Sequence, residues 1–265
     1  MLWSNYADDS KKHLMKRFIK WSLGSNFYYI YRSKIILKLF RKHYFGLNNL
    51  DFELEKYLKT TKGFFVDVGA NDGITQSNTK RLEIFKEWQG ILIEPIPIQF
   101  KNCSKSRSSK TWNLACCAFD NEADHITMIY SNLMTVNKVP TAELPNPFLH
   151  ASHGAAIQKL KNFEFTIGAK SLDVILELSG APSSIDFLNI DVEGSEMSVL
   201  EGIDHTKWRF SKILIETRDF VKIEKYLESY QYNFITALSV HDYLFGNSKR
   251  YSSLIEMPIP APGYQ

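Results

Sequence analysis

The stretch FFVDVGANDGITQSNT, Phe64 to Thr79, decides the fold. An apolar run ends in the acid Asp67, Gly69 and Gly73 then flank Asn71, and polar residues follow. A buried strand that enters a glycine turn and then a helix brings free backbone N–H groups to the carboxyl end of a sheet, where ligands of open α/β folds bind. A dinucleotide, a phosphate and a positively charged group are the three ligands such a turn could hold.

Outward from this stretch, short apolar runs alternate with helical patterns. GILIEPI (90–96) is the next strand, after a helix carrying Leu82, Phe85 and Trp88 on one side. TWNLACCAF (111–119) and HITMIY (125–130) are further strands, followed later by IDFLNIDVEG (185–194), a helix with Met197 and Leu200, and SKILIET (211–217). Ile223, Tyr226, Leu227 and Tyr230 recur at i, i+3, i+4, i+7, the spacing of a helix face. YNFITALS (232–239) and a short pairing near Tyr243–Phe245 end the pattern. Strands that are apolar on both faces and separated by helices predict an α/β fold with a mostly parallel sheet covered on both sides. Between about 132 and 170 the alternation stops, and Pro140, Pro145, Pro147 and Gly154 mark an irregular insertion of the kind that forms a lid or binding loop.

Residue types separate the ligands. The dinucleotide fingerprint is G-x-G-x-x-G; here Asn71 stands in place of the middle glycine, where its side chain hinders close approach of a diphosphate. Asn tolerates a left-handed backbone. The carboxylates of Asp67 and Asp72 are expected beside the site, where they repel phosphate and attract an ammonium or sulfonium. S-adenosylmethionine, cationic and free of phosphate, suits the turn better than a nucleotide. An acid that binds ribose hydroxyls is expected about 20 residues further on, at the end of the second strand. Glu94 stands there, 21 positions after Gly73.

A third constellation, NIDVEGSE (189–196), ends a strand in Asp191, Glu193 and Glu196. Glu196 opens a helix and meets its dipole favourably. Asp191, Glu193 and Glu216, at the end of ILIET, are expected to form an acidic cluster that acts as a general base or holds a divalent cation such as Mg2+.

Bulk composition narrows the field further. The net charge of +3 divides into +8 for residues 1–50, with 10 Lys and Arg against 2 acids, and −5 for the rest. A mildly acidic body argues against gripping a long nucleic acid, which requires phosphate neutralisation. Cys103, Cys116 and Cys117 make no disulfide framework and read as reduced packing residues of a cytoplasmic protein. The chain divides into a basic, aromatic-rich helical extension (1–50) and one domain (51–265). From Tyr28 to Phe45 the extension is predicted to be an amphipathic helix. Its two readings are packing against the domain and docking on a protein partner or the inner face of an anionic membrane.

Together, FFVDVGANDG, GILIEP, SLDVILELSG, IDFLNIDVEGSEMSVLEGID and KILIET, in that order over about residues 63–240, resemble the FkbM family of S-adenosylmethionine-dependent methyltransferases. The resemblance implies the Rossmann-like class I methyltransferase fold: seven strands, the last antiparallel, with helices on both faces. It implies methyl transfer to oxygen, often a sugar hydroxyl of a glycan or glycolipid; lipid-linked, polyketide and nucleotide acceptors, or a non-catalytic binding role, are the alternatives. Carried over, Asp67, Gly69, Ala70, Asn71, Asp72 and Gly73 surround the methionine moiety, and Glu94 with Pro95 takes the ribose. Ala115 and Cys116 border the adenine, and Asp191 lies at the methyl-transfer end. Many members have Lys where this chain has Asn189. A hydroxyl acceptor must lose its proton as the methyl arrives, so a base is expected nearby; His150 and His153 in the insertion are candidates, with His153 chosen as catalytic.

Overall fold

A computed structural model describes residues 44–141 and 144–247. The basic segment through residue 43 lies outside them, and with it most of the amphipathic stretch from Tyr28 to Phe45. In chain order the elements are α1 (Leu50–Leu54), β1 (Phe64–Val68), α2 (Lys80–Phe85), β2 (Gln89–Ile93), α3 (Pro97–Ser106), β3 (Lys110–Trp112), β4 (Ala115–Cys117), β5 (Ala123–Tyr130) and β6 (Val136–Asn137). Then follow α4 (Pro147–Gln158), β7 (Phe163–Ser171), α5 (Leu172–Ser179), β8 (Ser184–Ile190), α6 (Glu196–Leu200), β9 (Arg209–Glu216), α7 (Phe220–Ser229), β10 (Tyr232–Ala237) and β11 (Asp242–Asn247).

Seven strands form the main sheet in the order β10-β11-β9-β8-β1-β2-β3. All neighbours are parallel except the two pairs made by β11, which inserts antiparallel between β10 and β9. The period-2 alternation of side chains sorts each strand onto two buried faces. Val66, Ile91, Ile93, Leu188, Ile190, Ile213 and Ile215 pack on one face under Ile175 and Leu176 of α5, Leu200 of α6 and Ile223 of α7. Phe65, Leu92, Phe187, Leu214 and Leu244 face the other way, under Leu50 and Leu54 of α1, Leu82 of α2 and Cys103 of α3. Each such aliphatic side chain contributes about 1.5–3 kcal/mol on burial. This is the Rossmann-like class I methyltransferase architecture.

Two expectations change. The stretch over 111–119 is two strands, because the chain leaves the main sheet after Trp112: Asn113 Nδ2 donates to the carbonyls of Glu94 and Pro95 (2.8 and 3.0 Å). The insertion is not irregular throughout; it holds β6, α4 and most of β7. With β4 and β5 these strands build a second sheet, ordered β4-β7-β5-β6. Pro147 begins α4, where a missing N–H costs nothing, and the Asn146 side chain caps it by accepting from Leu149 N (3.0 Å).

Candidate active site

β1 is flanked by β2 on one side and β8 on the other, so the chain order reverses there and a crevice opens at the strands' carboxyl ends. A cavity of about 900 Å3 occupies it. Its walls are Asp67 to Asn71 at the end of β1, Glu94 to Ile96 after β2, Leu114 to Cys117 along β4, and Asn189 at the end of β8 with Asp191 to Ser195 beyond it. The second sheet and its loops supply the remainder, including Asn132, Thr135, Asn137 and Thr141.

On the β1 side the polar groups are fixed by the sheet's own register. Asp67 pairs with Asn189 across the β1–β8 ladder, and Asn189 Nδ2 donates to Asp67 Oδ1 (2.9 Å). Thr79 Oγ1 donates to the other carboxylate oxygen (2.5 Å), while Asn78 Nδ2 donates to Asn189 Oδ1 (3.2 Å). Asn189 is therefore a buried strut that aims Asp67. Burial raises Asp67's pKa, against the lowering influence of Arg107 and these hydrogen bonds. Glu94, only 4% exposed, accepts backbone N–H bonds from Asn71 and Ile96, each 2.7 Å. Burial nevertheless pushes it up to about 7, helped by the charges of Asp67 and Asp72. Gly69 takes φ +89°, and a Cβ there would stand 1.8 Å from the Asp191 carbonyl oxygen. Only glycine lets the β1 turn and the β8 end approach this closely. Asn71 adopts φ 49°, as its side chain permits.

On the β8 side the acids have few counter-charges. Asp191 is raised well above its ordinary value by burial and by the charges of Glu216, Glu193 and Glu196. Burial, Asp242 and Glu193 push Glu216 up to about 7, with Arg218 opposing. Glu193 stands at φ 54° and Gly194 at φ 96°. Glu196 Oε1 holds this turn by accepting from Val192 N (3.3 Å) and Gly194 N (2.9 Å). His150 Nε2 from α4 lies 3.1 Å from Glu193 Oε2.

A family model for the "Methyltransferase FkbM domain" matches residues 67–234. This chain belongs to the FkbM methyltransferase family. It is 23% identical over 202 residues to methyltransferase sdnD of Sordaria araneosa, covering 69% of this chain and 73% of that protein. Among solved structures it is similar to the methyltransferase FkbM of Methylobacillus flagellatus, at 17% identity and TM-score 0.41. That alignment covers 70% of this chain and spans 43% of the other. It is also similar to a precorrin-6y C5,15-methyltransferase of Geobacter metallireducens, at 11% identity and TM-score 0.36, over 74% of this chain and 85% of that one.

The methyl donor of an FkbM domain is S-adenosylmethionine, and the residues present suit it. Asn71 Oδ1 is buried without a hydrogen-bond partner in the cavity wall, Asp67 presents a carboxylate, and Glu94 ends the second strand as a ribose acid should. Asp67, Gly69, Ala70, Asn71, Glu94, Pro95, Ala115, Cys116 and Asp191 all line the one cavity.

Other predicted positions need correction. Asp72 turns away: its carboxylate accepts from Ile74 N (2.8 Å), Thr75 N (2.6 Å) and Thr75 Oγ1 (2.8 Å), closing its own turn. Gly73 packs against α3, where a Cβ would meet Cys103 and Ser106 at 2.9 Å. The expected helix does not begin at this turn but at Lys80, so side chains rather than a helix terminus define the site. His153 is solvent-exposed on α4, whereas His150, one turn earlier, meets Glu193. Glu193 lines the main cavity, but Glu216 lines a smaller adjoining one with Asp191, Glu193, Arg218 and His241. Among the described residues no three His, Cys, Asp or Glu side chains converge as metal donors, so Asp191, Glu193 and Glu216 do not assemble the expected cation site. Sequence reasoning missed Asn78, Thr79 and Thr141, whose polarity alone does not distinguish them from loop residues.

Proposed function

We propose that this FkbM-family protein is an O-methyltransferase whose acceptor is a hydroxyl of a sugar in a glycan or glycoconjugate. The observation that carries this reading is the chemistry of the cavity beyond the β1 turn. Gln76, Asn78, Asn132, Thr135, Asn137 and Thr141 line it with amides and hydroxyls, groups that both donate and accept as a polyol requires. The carboxylates Asp191 and Glu193 stand in the same wall, where a hydroxyl could give up its proton.

Bound S-adenosylmethionine supplies an electrophilic methyl group. This chain's residues do the rest. Asp67 and Asn71 suit the ammonium of the methionine end, Glu94 accepts from the ribose diol, and Leu114 to Cys116 flank the base. The second sheet and the 132–141 loop orient the acceptor. Unpaired Cys103, Cys116 and Cys117 support a cytoplasmic setting. The basic extension is proposed to bring the domain to an anionic membrane face or a protein partner.

The test is incubation of the full chain with methyl-labelled S-adenosylmethionine and a panel of glycans and glycolipids. An O-methyl sugar identified by NMR is the expected product. Transfer only to nitrogen or carbon acceptors, with every sugar left unmodified, would contradict the reading.

A further inference from the structure

The insertion closes on the turn after β8 at three points. Thr141 Oγ1 donates to the Gly194 carbonyl (3.0 Å), and the Leu144 side chain packs 3.0 Å from where a Gly194 Cβ would stand. From α4, His150 reaches Glu193, with 9% and 19% of the two side chains exposed. Glu193 itself occupies a left-handed backbone conformation, φ 54°, that L side chains rarely adopt. Such strain persists only where the surroundings fix it, and it concentrates at functional sites. Glu196 from below and the insertion from above hold this turn in place.

Of the three strand-end acids, Glu193 alone combines access to the main cavity with a partner that donates to it. Asp191 shares the main cavity, but burial and the facing charges of Glu216, Glu193 and Glu196 raise its pKa, and His150 contacts Glu193 instead. Glu216 lines the adjoining cavity only.

We infer that Glu193 takes the proton of the acceptor hydroxyl and that His150 is its positioning residue. This rests on the O-methyl reading above. In the tautomer that carries its proton on Nε2, His150 donates to Glu193 Oε2 and leaves Oε1 to act. As the acceptor's oxygen–methyl bond forms and the donor's sulfur–methyl bond breaks, the hydroxyl's O–H electron pair stays on oxygen. The proton moves to Glu193 Oε1, and it returns to solvent when the products leave. The sulfonium charge is discharged in the same step, so charge balances.

The experiment uses the full chain and four proteins: wild type, Glu193→Gln, His150→Ala and His150→Gln. Glu193→Gln should lose about 100-fold or more in kcat while its affinity for S-adenosylmethionine, measured by calorimetry, stays within about threefold. His150→Ala should lose about tenfold to 100-fold, the worth of a hydrogen bond to a charged group. The loss should fall in kcat rather than KM and be restored by added imidazole. His150→Gln, which keeps a donor, should retain most activity. Without any turnover, the His150 ring-nitrogen NMR shifts should move on Glu193→Gln.

Full activity in Glu193→Gln overturns the inference. Equal losses in both His150 variants with no imidazole rescue reduce His150 to a packing residue, and unchanged ring shifts remove the pair itself. If the wild type methylates an acceptor other than a sugar hydroxyl, the sugar reading fails alone, and the same variants on that acceptor still decide the roles of Glu193 and His150.

Discussion

Buried Glu83 behind the β1 turn and the buried acids at the ends of β8 and β9 are treated in opposite ways, while Asp67 and Glu94 beside the cavity are raised like the latter. Behind the β1 turn, burial alone would raise Glu83, but the charges of Arg107 and Lys80 overcome it and hold the carboxyl at about 2. Arg107 Nε sits 2.8 Å from Glu83 Oε2, and its other nitrogens donate to Gly73 O, Ser77 Oγ and Thr79 Oγ1. At the ends of β8 and β9, by contrast, burial raises both Asp191 and Glu216, and the charges of their acidic neighbours add to it. Glu83 is compensated, and its partner Arg107 ties the turn to the end of α3. Leaving Asp191 and Glu216 poorly compensated costs stability, and such groups concentrate where chemistry is done. The lesson is that the number of acids at a strand end says less than the charges facing them.

The most disruptive way to break the contrast is Arg107→Met. It strands Glu83 as an uncompensated buried charge, and a loss of about 3–5 kcal/mol in unfolding free energy is expected from denaturant titration. A cost below about 1 kcal/mol would mean that the pair is dispensable. Next comes Gly69→Ala, which forces a Cβ into the Asp191 carbonyl at φ +89°. Its expected effect is a loss of tenfold or more in S-adenosylmethionine affinity, about 1.4 kcal/mol. Affinity equal to wild type would show that the β1 and β8 ends separate freely.

Stability against pH sharpens the contrast. Glu216 is raised from 4.5 to about 7, so between those values the folded protein holds a proton that the unfolded chain has released. Its contribution is therefore fully present below 4.5 and is lost as pH rises through about 7. Glu83 runs the other way: its contribution is present above 4.5 and is lost only as pH falls through about 2. The ligand-free protein should melt higher at mildly acidic than at mildly alkaline pH, and Glu216→Gln should flatten that slope. A slope unaffected by the substitution would place the titration elsewhere. The smallest effect is expected at exposed His153, where replacement by Ala should leave turnover within about twofold.

Much of this was legible in the sequence wherever the cause was local. A strand that alternates on two buried faces and ends in an acid fixes both its sheet and the position of that acid, which is why Asp67, Glu94 and Asp191 line one cavity. What escaped depends on tertiary partners. Asp72 looks like a ligand until its turn claims both carboxylate oxygens. Asn113 breaks a continuous apolar run by bonding to the Glu94–Pro95 backbone, and so creates the second sheet. Pro147 resembles a breaker, yet it begins a helix. His150 and His153 differ in function only because α4 turns one toward Glu193 and the other to solvent.

Calorimetric titration of the full chain with S-adenosylmethionine and, separately, NAD, repeated on Asp67→Ala and Glu94→Ala, tests the central claim most directly. One micromolar site for S-adenosylmethionine alone, weakened by about tenfold or more in each folded variant, is the predicted result. No binding of S-adenosylmethionine by the folded wild type, or tighter binding of NAD, would contradict it.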